Sequence, residues 1–271
     1  MDNKSYLEKI IKQYVPDLTD HQSSKFMTYY EMLIETNKVM NLTAITGFED
    51  VVIKHFADSL SISQIVNLSD NTDNAGSDVT DDREISNSED RSDTATDQNS
   101  IRILDIGSGA GFPGIPLKIA YPDIDITLLD SLNKRVDFLN SVIDELKLNE
   151  QGNITAVHSR AEDYIKEDGI RQSYDLTVSR AVASLNVLSE YALPYVKVGG
   201  SFISYKSEQS DTEILEAEKA ISILGGRIDD KISFILPESD FGRTLIKIAK
   251  IKDTPGKYPR KAGMPGKKPI Q

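Results

Sequence analysis

Four residues in one seven-residue window, Asp105, Gly107, Gly109 and Gly111, carry a spacing suited to ligand chemistry. The glycines lack Cβ atoms, so a turn built from them lets backbone N–H groups approach a bound molecule closely. Phe112 follows, and Pro113 and Pro116 suit the first turn of a helix, where no N–H donor is required. The pattern is G-x-G-x-G, whereas a dinucleotide site wants G-x-G-x-x-G. A carboxylate two residues before the first glycine repels a pyrophosphate and attracts a cation. S-adenosyl-L-methionine (SAM) carries both a sulfonium and an ammonium, so this corner favours a methyl donor over NAD.

Further residues fall where such a ligand would extend. Asp130 lies 19 residues beyond Gly111, about where an acid reaches ribose hydroxyls. Ala161 and Glu162 follow a third strand, where a side chain or backbone group reads an adenine edge. Glu162 equally suits the first turn of a helix, where the dipole favours an acid. Arg180 follows Ser179 just beyond a fourth strand, beside the approach of a methyl acceptor. It suits a phosphate, the O6/N7 edge of a guanine, the donor's carboxylate or an ordinary ion pair. His55 and Asp58, three apart on one helix face, suit a mutual hydrogen bond in packing or capping rather than acid–base work.

The elements that position these residues alternate regularly from Ile101. Strands are expected at Ile101–Ile106, Ile124–Asp130, Asn153–Val157, Tyr174–Val178, Ser201–Lys206, Arg227–Leu236 and Arg243–Ile251. Helices are expected between them, including Leu132–Leu148, Leu185–Tyr195 and Ser210–Leu224. The last two strands read as an antiparallel hairpin. This is the class I SAM-dependent methyltransferase arrangement, a Rossmann-like α/β fold with a seven-stranded, mostly parallel sheet. Residues 1–68 form an N-terminal helical subdomain, in which Phe26, Met27, Tyr30, Leu33 and Ile34 make an apolar stripe. Capping boxes are expected at Thr19–Gln22 and Thr46–Glu49. Residues 69–100 read as an acidic disordered insertion, 101–252 as the methyltransferase domain and 253–271 as a basic tail.

Composition narrows the class further. The chain has no cysteine and three histidines without metal-ligand spacing, so disulfides, thiolate chemistry and a metal centre are not expected. No apolar run approaches the roughly 20 residues that cross a bilayer, and the first residues lack a secretory pattern, so a cytoplasmic monomer is expected. A net charge of −12 argues against a nucleic-acid partner, yet the charge is segregated. Residues 69–100 carry ten acids against two arginines, whereas 247–271 carry eight Lys/Arg against one acid. Within that basic end Lys257, Arg260, Lys261, Lys267 and Lys268 are candidate phosphate contacts.

Several stretches together resemble the RsmG (GidB) family. They are Asn41-Leu-Thr-Ala-Ile-Thr46, Lys54-His-Phe-Ala-Asp-Ser-Leu60, Leu104 to Pro116, Leu129 to Val136, Arg160-Ala-Glu162, Ser179-Arg-Ala181 and Lys257 to Gly266. The resemblance covers nearly the whole chain and departs at the acidic insertion. It implies a SAM-dependent enzyme that methylates N7 of one guanine in the decoding-region loop of 16S rRNA, in the small subunit or its precursor. It also implies donor contacts from Gly107, Phe112, Ala161, Glu162 and Arg180. Asp130 rests on the fold class instead. Two alternatives stand beside this reading: a SAM-binding assembly factor without catalysis, and a methyltransferase with another acceptor.

Overall fold

The computed structural model describes residues 1–68, 100–180, 183–208 and 210–271. The expected disordered insertion, but for Ser100, therefore lies outside the described residues. The helical region comprises α1 (Asn3–Ile11), α2 (Asp20–Met40), α3 (Phe48–Val51), a π-helical turn (Val52–Ala57) and α4 (Asp58–Leu60). β1 (Arg102–Ile106), α5 (Gly114–Ala120), β2 (Asp125–Asp130), α6 (Asn133–Glu145), β3 (Ile154–His158) and α7 (Ala161–Tyr164) follow. Next come β4 (Tyr174–Arg180), α8 (Leu185–Ala192), β5 (Val196–Ser207), α9 (Asp211–Ile223), β6 (Gly226–Ile235), β7 (Gly242–Lys250) and the short α10 (Met264–Lys267).

The seven strands form one sheet in the order β3-β2-β1-β4-β5-β7-β6. Pairings from β3 through β5 are parallel, and β7 is antiparallel to both β5 and β6. This is the seven-stranded arrangement expected from the chain's alternation. Side chains one apart on a strand leave by opposite faces. Ile103 and Leu128 therefore join a core with the N-terminal helices, α5 and α6, while Leu104 and Leu129 join one with α7, α8 and α9. Chain order reverses between β1 and β4, which opens a crevice beyond their carboxyl ends.

The N-terminal helices pack on this crevice. The Thr19 capping box is present, and the Gln22 amide also donates to the Ile119 and Ala120 carbonyls at the end of α5. One side chain thus starts α2 and satisfies orphan acceptors of a neighbouring helix. The buried stripe of α2 is Phe26, Tyr29 and Leu33, each contributing about 1.5–3 kcal/mol by burial. Met27, Tyr30 and Ile34 are only half-buried, so the stripe is turned slightly from the expected one.

Two local expectations fail. Gly47, not Thr46, is the N-cap of α3, and no side chain caps that end. The helix then widens into the π-helical turn, which α-helical periodicity could not register. His55 and Asp58, expected together on one helix face, are both buried here, as is Ser59. The basic end is also more structured than a bare tail. Arg171 donates to the Thr254, Pro255 and Tyr258 carbonyls, and Pro265 is buried.

Candidate functional site

The loop after β1 is held from below by backbone bonds. Gly107 N–H and Ser108 N–H both donate to the Leu129 carbonyl, at 2.8 and 3.2 Å. Gly111 adopts φ +100°, and a Cβ there would lie 2.5 Å from the Ile115 side chain and 2.8 Å from the Tyr29 hydroxyl. Glycine is therefore required by both backbone and space. The Tyr29 hydroxyl donates to the Ala110 carbonyl at 2.5 Å, tying α2 to the loop.

Asp105 does not face a ligand, contrary to the role its spacing suggested. It is fully buried beneath the loop, where Oδ2 accepts from Gly114 N–H at 3.0 Å. Its Oδ1 has no hydrogen-bond partner among the described residues. Burial pushes its carboxyl up to about 7, against the opposing pull of the Gly114 N–H.

Asp130 stands at the carboxyl end of β2 and borders the cavity, but its carboxylate is already engaged. Oδ2 accepts from Gly109 N–H at 2.9 Å, Oδ1 from Leu132 N–H at 2.9 Å, and Arg135 lies 3.4 Å from Oδ2. Its structural work is to shape the glycine loop; Oδ1, with one donor against two on Oδ2, retains acceptor capacity for a further donor.

Two adjoining cavities run along these strand ends and share Gly107 and Ser131. One of about 390 Å³ is bordered by Thr43, His55, Gly109, Phe112, Asp130 and Arg180. The other, about 170 Å³, lies between Ile106, Leu129, Ala161, Glu162 and Tyr191. A third, about 520 Å³, shares His55 and Arg180 with the first. It is bordered by Lys54, Lys206 and Arg243, and by the acids Asp58 and Glu213.

Arg180 thus separates two cavities, and its fork is fixed. Nη1 donates to the Lys54 carbonyl and to Asp58 Oδ2, both at 3.0 Å, and Nη2 to His55 Nδ1 at 3.2 Å. The guanidinium also lies 4.9 Å from the Phe112 ring centre. Three of its five N–H groups are engaged, which leaves two for a ligand. Arg243 Nε donates to the other Asp58 oxygen at 3.0 Å, so one buried carboxylate anchors two guanidiniums.

His55 stacks on Phe112 at 4.4 Å. Burial, reinforced by the charge of Arg180, pushes its imidazole down to about 3. Nδ1 lies 3.2 Å from Arg180 Nη2, which can only donate, and 3.1 Å from the Lys54 carbonyl, which can only accept, while Nε2 lies 2.8 Å from Thr43 Oγ1. Both ring nitrogens are committed. His55 and Asp58 do not bond one another as expected; each bonds Arg180.

Ala161 and Glu162 begin α7 at the end of β3, as expected. The Ala161 carbonyl accepts from the Tyr195 hydroxyl at 2.5 Å, and Glu162 Oε1 accepts from Gly263 N–H at 2.8 Å. Arg260, expected to contact phosphate, is instead paired through Nε and Nη2 with buried Glu190, at 2.9 and 2.6 Å. The burial of Glu190 demands a cation, and Arg260 supplies it. Lys257, Lys261, Lys267 and Lys268 are exposed.

Sequence reasoning did not name Arg243, Tyr29 or Thr43 as parts of this site, and gave Asp58 only a packing or capping role. Thr43 and Asp58 lie within motifs that carried the family resemblance, which was an available signal. Arg243, 185 residues from Asp58, had none. Among the described residues no group of His, Asp and Glu is placed to hold a metal ion, and no helix is long and apolar enough to cross a membrane.

The sheet order and strand-end crevice define a class I methyltransferase fold. Solved structures with a related chain course include M. jannaschii TYW2 in complex with AdoMet, at 14% identity and TM-score 0.46 over 56% of this chain and 70% of that one. M. capricolum TrmK with S-adenosyl-homocysteine is 21% identical at TM-score 0.43, over 57% and 64%. Sequence relatives are far nearer. A protein of Lachnoclostridium phytofermentans named ribosomal RNA small subunit methyltransferase G is 45% identical over 99% of this chain and 98% of its own. Proteins of the same name from Desulforamulus reducens and Streptococcus pneumoniae are 46% and 40% identical, each over at least 97% of both chains. The GidB family pattern, rRNA small subunit methyltransferase G, matches residues 22–80 and 80–235. The chain belongs to this family.

Proposed function

We propose that this chain, a SAM-dependent rRNA methyltransferase by family, methylates N7 of a single guanine in the decoding-region loop of 16S rRNA. The observation that carries the reading is the fixed Arg180 fork between two cavities, beside an imidazole with both nitrogens committed. Guanine N7 presents an in-plane lone pair and no proton, so its attack requires no general base. An exocyclic amine or a protonated ring nitrogen would need its proton removed, and His55 is not free to take it.

The cleft fits the donor. A long molecule polar at both ends suits two joined cavities, one flanked by apolar Ile106, Leu129 and Ala161 and the other by glycine backbone. Gly107, Gly109, Gly111 and Phe112 would form the floor, Asp130 the ribose side, and Ala161 and Glu162 the adenine side. When bound, SAM supplies an electrophilic methyl carbon on a sulfonium. The two unengaged N–H groups of Arg180 orient the acceptor's O6 or phosphate or the donor's carboxylate. Phe112 and His55 hold Arg180 in place. The third cavity, with four cationic side chains against two acids, receives the target nucleotide. Holding both reactants in line then contributes most of the acceleration, since well-oriented reactions gain about 7–11 kcal/mol from such positioning.

The RNA grip falls to exposed Lys257, Lys261, Lys267 and Lys268, with Arg260 withdrawn for its internal partner. Mapping 7-methylguanosine in small-subunit RNA from cells with and without the gene tests the reading. Loss of one decoding-loop site is expected, and an unchanged map would overturn it. Tight donor binding by the purified chain without transfer to unmodified subunits would favour the assembly-factor alternative.

A further inference from the structure

We infer that the segment Arg260–Gly263 is a brace for the donor pocket, with Arg260 and Glu190 as its positioning pair. This rests on reading the glycine-loop cavities as the donor site. The segment makes two anchored contacts only a few residues apart. Arg260 binds Glu190 through Nε, Nη2 and its own backbone N–H, the last at 2.8 Å. Gly263, at φ +77°, then directs its N–H to Glu162 Oε1.

Both anchors sit on pieces of the smaller cavity's wall. Glu162 borders that cavity directly, and Glu190 precedes Tyr191, another wall residue, on α8. The Glu190 carboxylate is almost wholly buried, whereas Arg260 remains partly exposed. A buried carboxylate left without its cation is strongly unfavourable, so the pair holds the segment down. With the segment down, the Gly263 N–H fixes one Glu162 oxygen and turns the acid into a preset feature of the wall. The cations at this end of the chain thereby divide by residue. Arg260 faces inward to the cofactor side, and Lys261, Lys267 and Lys268 face solvent.

The test compares full-length wild type, Arg260→Gln, and the Glu190→Gln/Arg260→Gln double variant, which removes the stranded charge and protects folding. Binding of S-adenosylhomocysteine is measured by calorimetry, binding of a decoding-loop RNA by titration, and exchange of the Gly263 amide by mass spectrometry. Both variants are expected to bind S-adenosylhomocysteine at least tenfold more weakly, with RNA affinity within threefold. Added S-adenosylhomocysteine is expected to slow Gly263 exchange in wild type and not in the variants. A folded variant that keeps donor-product affinity within twofold, or that loses RNA affinity instead, overturns the brace. Should Arg260→Gln fail to fold, the double variant decides. Wild type that itself fails to bind S-adenosylhomocysteine would refute the donor-site reading, a different outcome from an insensitive variant.

Discussion

Replacing Gly111 by alanine tests how the N-terminal helices and the glycine loop are joined. At φ +100° an alanine is strained, at about 1–3 kcal/mol for a residue forced into a sparsely populated region. Its Cβ would lie 2.5 Å from Ile115, 2.8 Å from the Tyr29 hydroxyl and 3.0 Å from Leu139, all inside a packed core. Overpacking adds about 1–3 kcal/mol, and displacement of Tyr29 removes its bond to Ala110, worth roughly 1 kcal/mol. The expected loss is about 5 kcal/mol in total. Gly109 supplies the control, because a Cβ there meets nothing closer than 3.9 Å and only the left-handed backbone, φ +62°, costs about 1 kcal/mol. The difference of about 4 kcal/mol corresponds to roughly 8–16 °C in Tm for a chain of this size. Thermal unfolding of both variants measures it directly. Equal shifts for Gly111→Ala and Gly109→Ala would refute the claim that α2 is packed against the loop through this residue.

Other outcomes follow from the same contacts. Arg180→Lys removes the planar fork that reaches Lys54, Asp58 and His55 together, so single-turnover methyl transfer should fall at least about 100-fold, or about 2.7 kcal/mol. Retention of the wild-type rate would contradict the role given to it. Asp105 and His55 should oppose one another in the pH dependence of stability. Between about pH 4 and 6.5 folded Asp105 keeps a proton that the unfolded chain releases, so its contribution falls as pH rises. Over the same window unfolded His55 takes a proton that the folded site refuses, so its contribution rises with pH. Asp105→Asn should therefore make urea midpoints climb more steeply from pH 4 to 6.5, and His55→Gln should make them decline; identical profiles would dismiss both assignments. Changing Lys261, Lys267 and Lys268 together to Gln should lower the salt dependence of RNA binding by a log–log slope of about 2. An unaltered slope would remove this surface from the RNA interface.

Much of the fold was legible because its periodicities are local. Short, largely apolar runs such as Ile103–Ile106, interrupted only by Asp105, and Ile126–Leu129, interrupted only by Thr127, define parallel strands without help from distant residues. The positions of Gly107, Asp130, Ala161 and Arg180 at strand ends followed from the same alternation. What the side chains do there was less legible. The engagement of Asp130 with Gly109, of Glu162 with Gly263 and of Arg260 with Glu190 depends on contacts spanning 21, 101 and 70 residues. Charge patterning shows that a cation is present, not whether a buried acid waits for it. The π-helical turn was hidden for another reason. One widened turn moves His55 and Asp58 from the face assigned by 3.6-residue spacing into the core.

In the proposed reaction an unprotonated ring nitrogen, guanine N7, takes the methyl group beside Arg180. Its most direct test uses purified chain, labelled SAM and small subunits reconstituted with 7-deazaguanosine at the target position, against guanosine controls. In the deaza base carbon replaces N7, while O6 and the pairing edge are kept. Label entering the guanosine subunits as 7-methylguanosine, and not the deaza subunits, is the predicted result. Equal labelling of both, or label recovered on another atom or base, would contradict it.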